Sequence, residues 1–482
     1  MALTLFASTA AQAQLQMAAH FVSPPFEANS YSDSGVNSLQ CIALSGGHVF
    51  AGLGTELRWF TAGASGWNIS SLRVKAPDLD CERFAQTMAS DGSTIVVGSE
   101  SGHVYFFDTQ STPPVLVASW RAPEGQAAQA LRLIGDTALI GLPSRTEAAP
   151  AGFPSGGVLL RRVGSTVQVS ATFAGTPVAP EIGRCGDFNE SFVVLSGERP
   201  SWFREAHTMT WQRQGDSWVY RGEPNPSNAV GLAIFGRPSV LDGNVLAVGA
   251  RDDDQAGWQS GACFIFRWNG TSWQQEAKVV LAQAPFTQQE FGEQLAIHDG
   301  KVYVSAPGYI GTGSGDRGRV FVISNDTGGW AVEQELRPPD TGLSTAWGIG
   351  PKFSPNGTMF FMGADSPVPY TAWRNIITAY GPATDCNGNG VQDARDVLES
   401  PGMDIDYDGV PDLCNCATNP SLPVCCPGDL DHDRTVGGAD IGLLLSNWGP
   451  CGSACLYDLN NDSKVNGGDL GLLLAGWGPC SN

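Results

Sequence analysis

The sequence predicts a mainly β chain, a seven-bladed β-propeller followed by a small α domain built on calcium loops, and three observations carry that expectation. A four-strand pattern recurs seven times between residues 14 and 383. From Thr384 to Asn482 the chain has 15 Asp plus Glu against 3 Lys plus Arg, a net of −12 out of −21 for the whole chain. Within that acidic tail, residues 426–451 and 455–480 are two copies of one loop-plus-helix unit, which agree at 15 of 26 positions without gaps.

Residues 2–13, Ala-Leu-Thr-Leu-Phe-Ala-Ser-Thr-Ala-Ala-Gln-Ala, read as the apolar core of a secretory signal with an Ala11-Gln12-Ala13 cleavage site, without the usual positively charged start. The expected location is therefore secreted or cell-surface. No later segment reaches about 18 apolar residues, so no membrane span is expected. A charge of −21 also argues against nucleic acid, whose phosphates call for clustered Lys and Arg.

The clearest repeat starts at Phe235-Gly236, runs through Val245-Leu-Ala-Val-Gly-Ala250 and an acidic loop at Asp252, Asp253 and Asp254, and continues with Gly261-Ala-Cys-Phe-Ile-Phe266 and Trp273–Leu281. The next copy is Phe291–Ala306, Gly318–Ile323 and Trp330–Leu336. Further copies begin near Leu39, Phe84, Gln129, Gly183 and Trp347. Each shows alternating Val, Ile, Leu and Phe with Asp-Gly or Asn-Gly between strands, the signature of short antiparallel hairpins. One such sheet cannot bury both of its faces, and radial stacking solves the problem. The last copy stops one strand short, at Tyr380. Leu15–Val22 resembles the fourth strand of the other copies and is expected to complete it. The Asp252 loop lacks the D-x-D-x-D-G spacing of a calcium loop and reads as a solvated acidic loop.

Residues 384–425 hold two acidic loops. Asp385, Asn387, Asn389, Asp393 and Asp396 occupy positions 1, 3, 5, 9 and 12 of the first, and Asp404, Asp406, Asp408 and Asp412 repeat the pattern in the second. In the domain 426–482, Asp429, Asp431, Asp433 and Asp440 stand at positions 1, 3, 5 and 12, with the Thr435 carbonyl at 7. Asp458, Asn460, Asp462 and Asp469, with the Lys464 carbonyl, do the same in the second copy. Oxygens at these positions surround Ca²⁺, and an aliphatic residue at 8 (Val436, Val465) pins the loop. Position 12 is Asp where ordinary EF-hands have a bidentate Glu, and position 6 is Arg434 or Ser463 where they have Gly. After each loop the stripes Ile441, Leu444, Leu445, Trp448 and Leu470, Leu473, Leu474, Trp477 have helical spacing, and both are expected to be buried.

Twelve cysteines fit an exported chain, eight of them in the tail. Cys426–Cys451 with Cys455–Cys480, or Cys426–Cys480 with Cys451–Cys455, are both open as disulfide sets. The six histidines show no metal-ligand spacing, and no nucleophile elbow, P-loop or dinucleotide fingerprint occurs, so catalytic residues are unknown.

The Phe-Gly, Val-Gly-Ala and Gly-Ala-Cys-Phe-Ile-Phe pattern with its following Trp resembles the FG-GAP repeats of integrin-α-type seven-bladed propellers. The loops of 384–425 are similar to thrombospondin type 3 repeats. The duplicated loop and exit helix of 426–482 resembles a dockerin module, which implies calcium-dependent docking onto a cohesin-like or cell-surface protein. The basic or hydroxyl recognition residues of that family are not evident at Ser446-Asn447 and Ala475-Gly476. Two functions follow: a secreted calcium-binding protein whose propeller recognises a glycan or protein, or a polysaccharide-degrading enzyme with its site in the propeller channel.

Overall fold

A computed structural model describes residues 15–22, 41–45, 48–52, 56–61, 68–70, 72–81, 83–111, 113–123, 126–143, 155–175, 182–198, 206–228, 235–281, 288–310, 317–326, 328–336, 344–353, 359–366, 374–382, 386, 411, 414, 426, 428–431, 435–450, 457–460 and 464–479. The chain divides into two compact units, one covering Gln14–Gly381 and the other containing Pro382–Asn482.

In the first unit, seven antiparallel sheets of four or five strands follow one another. They occupy residues 41–75, 87–121, 129–174, 185–222, 235–279, 295–336 and 344–382. Strands pair in chain order within each sheet, as tight hairpins dictate; the two-residue Asp299-Gly300 turn, for example, sets His298 opposite Lys301. In the first sheet Val74–Lys75 departs from that order and pairs with Glu56–Thr61, and the last sheet departs from it too. There the N-terminal strand Leu15–Val22 pairs with Arg374–Pro382 and supplies the fourth strand, as its sequence suggests. The first strand of each sheet contacts the first strand of the next, and Cys41–Ser45 contacts Ser344–Phe353 of the last, so the series returns to its start. This is β-propeller architecture.

Hydrophobic cores lie between consecutive sheets. Phe50 and Trp59 of the first sheet pack on Phe84, Tyr105 and Phe107 of the second. Val194 meets Val248, Phe264 and Phe266 across the fourth and fifth sheets. Ala247, Cys263 and Ile265 meet Val302, Val304 and Phe321 across the fifth and sixth. Full burial of each large apolar side chain contributes about 1.5–3 kcal/mol. Because that burial spans two sheets, no sheet is stable alone.

The recurrent Phe-Gly and Val-Gly-Ala pairs serve the same junctions. Phe291 is fully buried, and Gly292 follows it at φ +98°. A Cβ on Gly292 would run into the Ala262 carbonyl of the preceding sheet, and one on Gly249 would run into the Gly292 carbonyl. Backbone thus rests directly on backbone where neighbouring sheets meet, which only glycine permits.

The acidic loop differs from expectation. Asp252 and Asp253 are buried, not solvated. Asp253 accepts a 2.8 Å hydrogen bond from the equally buried Lys278 ammonium, which also lies 5.2 Å from the Phe264 ring centre. Packing against the loop 288–293, through the Gly261–Phe291 bridge, removes water from this segment. Lys278 supplies the countercharge that burial then requires.

Of the cysteines, Cys81 and Cys263 are free thiols, and burial pushes the Cys263 thiol far above its usual range. A disulfide joins Cys386 to Cys414, a pair outside both sets considered from sequence, and Cys426 is disulfide-bonded as well. Cys451, Cys455 and Cys480 lie outside the described residues.

Candidate calcium-binding module

The second unit contains two short helices, Gly438–Ser446 and Gly467–Ala475, each entered from an acidic loop. Asp440 and Asp469, at position 12 of their loops, are also the third helical residue, where a carboxylate meets the free N–H groups of a helix start. Asp440 Oδ2 accepts from the Gly437 N–H at 2.6 Å, and Oδ1 accepts from Leu430 and Asp431 at 2.7 and 3.1 Å. The second copy repeats this closely. Asp469 Oδ2 accepts from Asn466 at 2.7 Å, and Oδ1 accepts from Leu459 and Asn460 at 2.8 and 3.2 Å. The Asn466 side chain also caps its helix, accepting from Gly468 at 2.7 Å.

Asp440 and Asp469 are almost wholly buried, at 1% and 0% exposure. Burial works to raise both carboxyl pKa values, but the surrounding backbone N–H donors outweigh it and hold both groups below the ordinary carboxylate range. A carboxylate has about four lone-pair directions, two per oxygen. Three are engaged by N–H donors, so Asp440 has at most one, on Oδ2, for a cation.

Asp429, Asp431 and Asp440 bring one carboxylate oxygen each within 4.8 Å of one another, the one such cluster of acidic, His or Cys groups among the described residues. Calcium binds oxygens at 2.3–2.6 Å, so two ligands of one ion stand no more than about 5 Å apart. The trio therefore fits a calcium ion. Without a cation these carboxylates repel one another, only weakly where Asp431 is concerned because that side chain is exposed and screened by solvent. In the second loop Asp458, Asn460 and Asp469 occupy the equivalent places, with Asn in place of one carboxylate. Asp433 and Asp462 lie outside the described residues. So do all nine residues singled out between Asp385 and Asp412, namely Asp385, Asn387, Asn389, Asp393, Asp396, Asp404, Asp406, Asp408 and Asp412.

The helices pack on each other through a small core of Val436, Leu444, Val465 and Leu473, with Ile441 and Leu470 at its margin. Leu445, Trp448, Leu474 and Trp477 do not join it. They are 50%, 50%, 48% and 54% exposed, which corrects the expectation that both stripes are buried. Two nine-residue helices meet along one line, so one or two side chains per helix fill the interface and the flank of each stripe stays outside. A second feature has no counterpart in the sequence pattern. Thr435–Val436 of the first loop pairs with Gly478–Pro479 after the second helix, and Gly449–Pro450 after the first helix pairs with Lys464–Val465 of the second loop.

The chain matches no protein-family model and no curated protein. Among solved structures, it is similar to a chain of the mitotic checkpoint complex, at 13% identity and a TM-score of 0.48, over 80% of this chain and 97% of that one. It is also similar to the WD40 domain of Toxoplasma gondii coronin, at 8% identity and 0.43, over 80% and 92%. A third is YCF48 bound to a D1 peptide, at 12% and 0.43, over 76% and 95%. The assignment as a propeller rests on the strand pairing and inter-sheet contacts described above. No helix among the described residues is long and apolar enough to cross a membrane.

Proposed function

We propose that this chain is an exported calcium-binding protein with two working ends. A seven-bladed propeller of the FG-GAP kind recognises a glycan or protein ligand. A dockerin-like module attaches the protein, once loaded with calcium, to a cohesin-like partner or a cell surface. The observation that carries the reading is a duplicated pair of exposed residues, a Leu near the end of each helix and a Trp just beyond it, where each helix starts at a buried loop carboxylate.

Bound calcium would cross-link the oxygens of each loop and neutralise their charge. Asp429, Asp431, Asp433, the Thr435 carbonyl and Asp440 would hold one ion, and Asp458, Asn460, Asp462, the Lys464 carbonyl and Asp469 the other. The acidic segment 384–425, similar to thrombospondin type 3 repeats, would add further calcium between the two ends. The docking face is uncharged: residues 441–450 and 470–479 contain no Asp, Glu, Lys or Arg, inside a tail of net charge −12. Exposed apolar side chains of this kind, repeated in both copies, mark an interaction site.

Calorimetry on the full chain tests the calcium reading. Heat of calcium binding is expected, together with a partial loss of helical circular dichroism in EDTA, and Asp429→Ala with Asp458→Ala should reproduce the EDTA state. No calcium heat and an unchanged spectrum would overturn it. Capture of a cell-surface or secreted partner only in the presence of calcium tests docking. For the propeller, a glycan array is run beside a reducing-sugar assay. Turnover abolished by replacing an Asp or Glu in the channel would make it a polysaccharide-degrading enzyme instead.

A further inference from the structure

Each exposed tryptophan stands between the end of its own helix and a strand paired with the other repeat. The Trp448 N–H lies 3.4 Å from the Leu445 carbonyl of its helix, and the next residue, Gly449, is paired with Val465 of the second loop. The Trp477 N–H lies 3.4 Å from the Leu474 carbonyl, and Gly478 is paired with Val436 of the first loop. Gly449 and Gly478, at φ +131° and +119°, turn the chain out of each helix into that strand.

The loop residues in these pairs are the ones that an ion would fix. Thr435 and Lys464 stand at position 7, whose carbonyl faces calcium in loops of this pattern. Their neighbours Val436 and Val465 are 1% and 0% exposed in the module core. A two-residue ladder has no stability of its own and persists only where its surroundings hold it. In the first loop the hold is opposed by the mutual repulsion of Asp429, Asp431 and Asp440, which a divalent cation would cancel. Half of each tryptophan is in solvent, so packing on its own helix is a weak restraint.

Building on the calcium reading above, we propose that the two sites are cross-wired: the ion in the first loop positions Trp477 of the second repeat, and the ion in the second loop positions Trp448 of the first. The docking face is then complete only when both loops are loaded, and each half reports the occupancy of the opposite loop.

The test uses the full chain labelled with 5-fluorotryptophan. The ¹⁹F resonances of Trp448 and Trp477 are identified by their loss in Trp448→Phe and Trp477→Phe, then followed during calcium titration. Asp429→Ala should abolish the calcium-dependent shift of Trp477 and spare that of Trp448, and Asp458→Ala should do the reverse. Loss at the tryptophan of the mutated repeat, or equal loss at both, overturns the proposal. Should Asp429→Ala melt the helices, seen by circular dichroism, Asp429→Asn keeps the side-chain size and gives the same reading. Gly478→Ala strains the link behind Trp477, and should remove that residue's response while calorimetric calcium binding persists; an intact response overturns the proposal. Absence of both calcium heat and any shift in the unmutated protein would instead refute the calcium reading itself. Calcium heat with a same-repeat response would refute the cross-wiring alone.

Discussion

Replacing Asp440 with asparagine should weaken the module even in the absence of calcium, because its carboxylate ties the first loop to the first helix. Asparagine offers one carbonyl oxygen in place of two. If that oxygen keeps the Leu430 and Asp431 N–H groups, the new NH₂ confronts the Gly437 N–H, now 2.6 Å from Oδ2, donor to donor. If the amide flips, two bonds are lost for one retained. The milder arrangement forfeits one charge-assisted hydrogen bond and weakens two others, at a cost of about 2–3 kcal/mol. At 1.4 kcal/mol per factor of ten, that is about a 30- to 150-fold loss of protection. Amide hydrogen exchange of residues 428–446 in EDTA, read by mass spectrometry on the full chain, measures it. Asp431→Asn, at an exposed position, is the control and should stay within about threefold of the unmutated protein under the same conditions. Protection in Asp440→Asn equal to that of the control would refute the role given to the carboxylate.

Three other outcomes are expected. Leu444→Ala and Leu473→Ala, each fully buried, should cost about 2–5 kcal/mol, whereas Leu445→Ala and Leu474→Ala should stay near neutral; equal costs in urea unfolding monitored over the module would contradict the assignment of faces. Lys278→Ala should destabilise the propeller by about 3–5 kcal/mol by removing the countercharge of the buried Asp253, and Lys278→Met combined with Asp253→Leu should recover most of it, as calorimetric melting will report. The lowered pKa values of Asp440 and Asp469 contribute stability that is fully present above the unfolded Asp value of about 3.9 and is lost as pH falls through the folded values below it. Helical circular dichroism in EDTA should therefore be flat near neutrality and fall only in acid; a midpoint above pH 6 would count against this account.

Seven sheets in chain order, and the N-terminal strand that completes the last of them, were legible because strand alternation and two-residue turns are local properties. The burial of Asp252 and Asp253 was not, because it depends on Lys278 arriving from another strand and on the loop 288–293 excluding water. Nor was the cysteine pair Cys386–Cys414, since spacing alone does not choose among partners.

The twin helices mark the boundary most clearly. By itself the sequence determined that each helix has an apolar stripe and that each follows an acidic loop, because helical periodicity and residue spacing are written within about twenty residues. Only the tertiary structure decided that Leu444 and Leu473 fill the interface while Leu445, Trp448, Leu474 and Trp477 face outward. It also decided that each loop is strapped to the far end of the other helix. The reason is geometric. A stripe has two flanks, and which of them is buried depends on the line along which a second short helix crosses it.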